Sequence, residues 1–143
     1  MSDKEYEKCS YKLFIVWFVA FISMSFLVPF LIGMCFPNIS ENIMIKLILA
    51  FTLIGLSSLF YLIYKTEKVY WINGITYDMA KKSTSEKRKV YAFKHFEAFL
   101  NVTIYAIIYL VISTLLSLSP IVDGTVVGIM IIVTAVKTIK TKL

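Results

Sequence analysis

The chain has 143 residues, and its hydrophobic fraction of 59% and mean hydropathy of +0.79 exceed those of ordinary soluble domains, which are about 45–50% apolar. Because the excess lies in long uncharged runs, the composition excludes a soluble globular protein and predicts a single membrane domain over residues 1–143. The net charge of +6 comes from lysines next to those runs, so no nucleic-acid partner is expected.

Four apolar segments are long enough to cross a bilayer, which needs about 20 residues. They are Leu13–Phe36, Ile43–Tyr64, Ala98–Leu118 and Pro120–Ile139. The sequence therefore predicts an all-α integral membrane protein: a four-helix transmembrane bundle with a small structured cytoplasmic loop, residues 65–97, between spans two and three.

Local residues predict how these helices begin and bend. Pro29 lies inside the first segment and removes a backbone donor there, so it predicts a kink. Ser40 is the expected N-cap of the second helix. Ser119 followed by Pro120 is typical of a helix start and places the fourth helix directly after the third.

The basic residues predict the orientation. Fourteen of the fifteen Lys and Arg residues fall in the N-terminal segment, the 65–97 loop or the C-terminal tail, and only Lys46 falls on the other side. The positive-inside rule then places both termini and the loop in the cytoplasm. The abundance of Lys, Ile and Phe favours an AT-rich bacterial genome, so the expected location is a bacterial plasma membrane.

The stretch Val69–Asp78, VYWINGITYD, allows two local structures. In one, Asn73-Gly74 forms a type I′ turn of a β-hairpin, which is favoured slightly. In the other, VYWI finishes the second helix, Asn73-Gly74 ends it, and Thr76 caps a short helix that runs through Lys82. In both, aromatic side chains lie at headgroup level.

A second local motif follows in the same loop. Ser83-Thr84-Ser85-Glu86 matches a capping box with Ser83 as the N-cap, so a helix is expected to start near Thr84. Its apolar positions are Val90, Phe93, Phe96 and Leu100, and its basic residues Lys87, Arg88, Lys89 and Lys94 are expected to face water or headgroups. The helix either lies in the membrane interface or runs straight into span three.

The loop supplies the candidate interface for a protein partner or for anionic lipid headgroups, although a solvated extension with interfacial aromatics is the simpler interpretation. The candidate residues are Tyr70, Trp71, Asn73, Gly74, Tyr77, Lys87, Arg88, Tyr91, Phe93, Lys94 and His95.

Residues that might carry chemistry are few. His95 is the single histidine and has no acid–base partner at a catalytic spacing, so we interpret it as a polar interfacial residue. Lys46 and Asp123 lie near the external ends of spans and are interpreted as separate helix-end charges, with pairing across helices as the alternative. No catalytic residue, cofactor or metal ligand is predicted.

Small residues indicate where helices approach one another. Gly55 and the GxxxG pair Gly124 and Gly128 are the candidate packing positions, with packing inside the chain favoured over a homo-oligomer. Together these features favour a non-enzymatic accessory, regulatory or immunity-type protein that acts through helix packing and its loop. The alternative is an oligomeric small transporter or channel subunit.

Overall fold

The computed structural model describes residues 9–72 and 74–143, and every element in those ranges is helical. The elements are α1 (Lys12–Cys35), α2 (Glu41–Thr66), a 3₁₀ turn (Val69–Trp71), α3 (Tyr77–Lys82), α4 (Ser85–Leu115) and α5 (Pro120–Ile139). Four of these helices, α1, α2, α4 and α5, are long and apolar enough to cross a membrane. The predicted all-helical architecture is confirmed at that level.

The helix starts are fixed by local capping. The Ser40 hydroxyl accepts a hydrogen bond from the Ile43 amide at 3.3 Å, and Ser119 lies one residue before Pro120 as the N-cap of α5. Both caps agree with the sequence prediction. The α4 cap does not: Thr84, not Ser83, accepts from the Lys87 amide, so α4 starts one residue later than the capping-box match implies.

The segment around VYWINGITYD is not a β-hairpin. Val69–Trp71 forms a 3₁₀ turn, and Thr76 caps α3 by accepting from the Met79 amide at 3.2 Å. The helical alternative is therefore correct for α3, but α2 already ends at Thr66, with Glu67 in the left-handed conformation as its C-cap. The prediction for Asn73 lies outside the described residues.

Helices α2 and α4 form the most extensive pair, and α5 packs against both. Leu53, Ala106, Leu110 and Val127 make the apolar centre of this three-helix contact. Polar side chains also join the helices, because the Ser57 hydroxyl lies 2.7 Å from that of Thr103.

Helix α1 is more peripheral and packs mainly on α2. None of its 24 residues is buried, although it continues through Pro29 to Cys35. Its main contact is aromatic: Phe21 stacks between Trp17 and Phe51, with ring centroids 5.2 and 5.8 Å away. Phe21 also covers Gly55, where a Cβ atom would lie 2.1 Å from its ring.

The glycines of α5 behave differently. A Cβ built at Gly124 or Gly128 would have no neighbouring atom within 4 Å. These two glycines therefore do not mediate close helix packing within the chain, in contrast with Gly55.

Candidate functional site

The residues predicted for a partner or lipid interface do not share one exposed face. Tyr70, Arg88, Tyr91 and His95 are buried, and Trp71 and Tyr77 are half-buried. Gly74, Lys87, Phe93 and Lys94 are exposed. The loop residues thus separate into an internal group that holds the connection between α2 and α4 and an exposed group, which apart from Gly74 lies on α4.

Tyr70 ties this connection to the start of the described chain. Its hydroxyl accepts from the Ser10 amide at 3.1 Å and donates to the Ser10 carbonyl at 3.0 Å. Burial raises the pKa of Tyr70, so the hydroxyl keeps its proton and serves both bonds. Its ring also meets those of Tyr11 and Tyr77 edge-on, with centroids 5.6 and 5.3 Å away.

A buried ion pair closes the turn between α2 and α4. The Arg88 guanidinium donates from Nε to Oε2 of Glu67 at 3.2 Å, and its Nη2 lies 3.1 Å from the same oxygen. Arg88 also donates to the carbonyls of Ala80 and Ser83, while the Ser85 hydroxyl donates to Oε1 of Glu67 at 2.9 Å. The rigid fork of Arg88 therefore joins the end of α2, the end of α3 and the start of α4.

This arrangement corrects the expectation that Arg88 faces water or headgroups. Only 4% of Arg88 is exposed, and Glu67 is 1% exposed. A buried guanidinium needs both a counter-charge and acceptors for its remaining N–H groups, and Glu67 with the two carbonyls supplies them. The exposed Lys89, 3.6 Å from Glu67, adds little because water screens it.

A second buried ion pair links α2 to α5. The Lys46 ammonium lies 3.2 Å from Oδ2 of Asp123 and donates to the Ser113 hydroxyl at 2.8 Å, while that hydroxyl donates to Oδ1 of Asp123. Lys46 is 4% exposed and Asp123 is fully buried. The interpretation as separate helix-end charges is therefore wrong, and Lys46 does not extend outward, because each charge compensates the other inside the bundle.

An exposed strip on α4 remains available for contact. Lys87, Val90, Phe93 and Lys94 all point outward along its first turns, and we call them the basic strip. Beside it lies an open groove of about 380 Å³ that Lys142 and Leu143 of the C-terminal tail also line. The strip combines positive charge with apolar contact area.

Some of the polar network could not be found from the sequence. Lys46 and Asp123 carry a recognisable pattern, since they are opposite charges at matching ends of two apolar runs. Ser113 is one of several span hydroxyls, and nothing in its spacing selects it. Glu67 is one acidic residue in a basic loop, and only the fold shows that it meets Arg88.

Within residues 9–72 and 74–143, no three His, Cys, Asp or Glu side chains come together as a metal ion would need. No protein-family model matches the sequence, and neither the curated proteins nor the solved structures contain a chain with significant similarity to it. Functional inference therefore depends on the geometry alone.

Proposed function

We propose that this protein is a non-enzymatic accessory, regulatory or immunity-type protein of the bacterial plasma membrane, with four spans and cytoplasmic termini. The observation that carries the proposal is the basic strip: Lys87, Val90, Phe93 and Lys94 stay exposed on a helix whose other side is firmly packed. Aromatic residues such as Phe93 are enriched in protein interfaces, and exposed charges around them orient an approaching partner.

The distribution of polarity supports membrane insertion. In the second half of α4 the exposed residues include Ile104, Tyr105 and Ile108, whereas Thr103 and Ser113 are buried. A helix in water shows the reverse pattern, with its charged face outward. A helix that borders lipid instead satisfies its polar groups internally.

The partner that fits the strip is a membrane protein with an acidic, partly apolar juxtamembrane surface. Lys87 and Lys94 are seven residues apart, so they lie two turns apart on one face with Val90 between them. Exposed lysines supply orientation and association rate, while Val90 and Phe93 supply apolar area. The buried charges Glu67 and Arg88 pair with each other and stabilise the fold.

Pull-down of the tagged protein from mildly crosslinked membranes tests the proposal. The variant Lys87→Glu/Lys94→Glu is expected to lose a specific membrane protein that the wild type recovers. The matched control is Lys81→Glu/Lys82→Glu, which makes the same charge change on exposed residues of α3 and should retain the partner. Equal recovery in both variants would contradict the proposal, and loss of anionic-lipid co-purification alone would reassign the strip to headgroups.

A second function, an oligomeric transporter or channel subunit, is favoured by the Lys46–Asp123 pair and by the open glycines of α5. Ionisable groups inside a helix bundle often mark a substrate path, and Gly124 and Gly128 leave room for a neighbouring helix. Reconstituted liposomes test it: flux that Asp123→Asn or Gly128→Leu abolishes would support transport. Liposomes no more permeable than protein-free controls would reject it.

A further inference from the structure

A cavity of about 340 Å³ lies where α2, α4, α5 and the 3₁₀ turn meet. Its walls are mostly aromatic and aliphatic, and they include Phe60, Ile63, Trp71, His95, Phe99 and Ile139. No Asp, Glu, Lys or Arg lines it. The cavity therefore suits a neutral, largely apolar molecule, and neither a cation nor an anion would find a counter-charge there.

His95 places one hydrogen-bonding group in this wall. The residue is 3% exposed, and its Nδ1 lies 3.0 Å from the Tyr91 carbonyl oxygen. A carbonyl can only accept, so Nδ1 carries the hydrogen. The expectation of a polar interfacial residue is thus replaced by a buried imidazole with one nitrogen already committed.

The other ring nitrogen, Nε2, has no hydrogen-bond partner among the described residues. His95 also has no carboxylate within ion-pair distance in the described chain, so the charged imidazolium would be buried without compensation. The neutral ring leaves a lone pair on Nε2. Nε2 is not enclosed, unlike the indole Nε1 of Trp71, so a ligand in the cavity that supplies one donor can bond to it.

We propose that this cavity binds a small lipophilic phenol through a hydrogen bond from the phenol hydroxyl to Nε2 of His95. A volume of about 340 Å³ lies at the small end of the roughly 300–1,000 Å³ range of ligand pockets, so it suits a single substituted ring. The rings of Phe60, Phe99 and His95 offer faces and edges to an aromatic body.

The cavity is open beside Ile139, which is 79% exposed, so a small molecule can enter it from the surroundings of the bundle. Among the other polar wall residues, Thr138 donates to the Ala135 carbonyl at 2.8 Å, whereas the indole Nε1 of Trp71 is buried without a hydrogen-bond partner among the described residues. The inference concerns a different surface from the basic strip and does not depend on it.

The test uses the full chain in lipid nanodiscs, with para-butylphenol as the probe and its methyl ether as the matched ligand without a donor. Saturation-transfer NMR and thermal unfolding are measured for the wild type, Ala135→Phe, which fills the cavity, and His95→Phe, which removes the acceptor. A control variant, Ala20→Phe on the exposed face of α1, adds the same ring elsewhere.

The phenol is expected to bind the wild type and Ala20→Phe saturably and to raise the unfolding temperature. His95→Phe and the methyl ether should each weaken binding about fivefold, the loss of one neutral hydrogen bond. Ala135→Phe should abolish binding. Equal binding of phenol and ether by the wild type, or undiminished binding by Ala135→Phe, would overturn the proposal without relying on the His95 variant.

Discussion

Lys46 and Asp123 each depend on the other, because both side chains are removed from solvent and Ser113 bridges them. Replacing one member leaves a buried charge without its partner. We expect Asp123→Ala to lower the free energy of unfolding in detergent by about 3 kcal/mol, as in other broken buried ion pairs. Equilibrium unfolding followed by helical circular dichroism measures this change.

The double variant Lys46→Met/Asp123→Leu separates charge pairing from packing. Because it removes both charges and retains apolar volume, it should recover most of the stability that Asp123→Ala loses. If the double variant loses as much unfolding free energy as Lys46→Met and Asp123→Leu lose together, the two residues do not interact.

Gly55 is required for a close contact between α1 and α2. In Gly55→Ala the new methyl group would overlap the Phe21 ring, which is itself held between Trp17 and Phe51. The ring must shift, at a cost of about 1–3 kcal/mol. We expect a changed Trp17 emission spectrum, measured with Trp71→Phe as the background. Gly128→Ala has open space around it and should leave that spectrum unchanged; an equal change in both variants would contradict this account.

At the scale of elements, the connection between α2 and α4 depends on Glu67. Its carboxylate fixes Arg88 and Ser85, and Arg88 in turn holds the carbonyls at the end of α3. Glu67→Gln removes the charge but keeps the shape, so the guanidinium loses its counter-ion. Amide hydrogen exchange over residues 69–82 should become faster, since this segment would open locally at lower free energy.

The control for this element is Glu86→Gln, which neutralises an exposed carboxylate one residue after Ser85. It should leave exchange in residues 69–82 at the wild-type rate. Faster exchange only in α1 or α5 of the Glu67 variant would indicate that Glu67 does not hold the connection.

The long elements could be predicted from the sequence and the exposed face of α4 could not. Uninterrupted apolar runs determine where α1, α2 and α5 lie to within two residues. On α4, Val90 and Phe93 were expected to mark the apolar face opposite the basic residues. They are exposed and Arg88 is buried, because Arg88 finds its counter-charge in Glu67, a contact that the amphipathic pattern does not encode.

At the scale of the whole molecule, the polar clusters could not be predicted from the sequence, because local spacing does not encode contacts between helices. Inside the bundle, Ser57, Thr103 and Ser113 form hydrogen bonds that join three helices, and such pairs have no fixed spacing along the chain. Apolar side chains meanwhile cover the outside. Among the described residues, two buried ion pairs therefore join the helices at opposite ends of α2: Lys46 with Asp123, and Glu67 with Arg88.

The two cysteines test the proposed orientation of this bundle. Cys9 and Cys35 are both free and exposed; Cys9 precedes α1 and Cys35 is its last residue, and the 24 residues of this helix span about 36 Å. If the positive-inside rule holds, Cys9 faces the cytoplasm and Cys35 the exterior. A membrane-impermeant maleimide added to intact cells should label Cys9→Ser, which retains Cys35, and should not label Cys35→Ser. Permeabilised cells should allow labelling of both. Labelling of Cys9 in intact cells would invert the topology, and it would move the basic strip to the outer surface, where a cytoplasmic partner could not reach it.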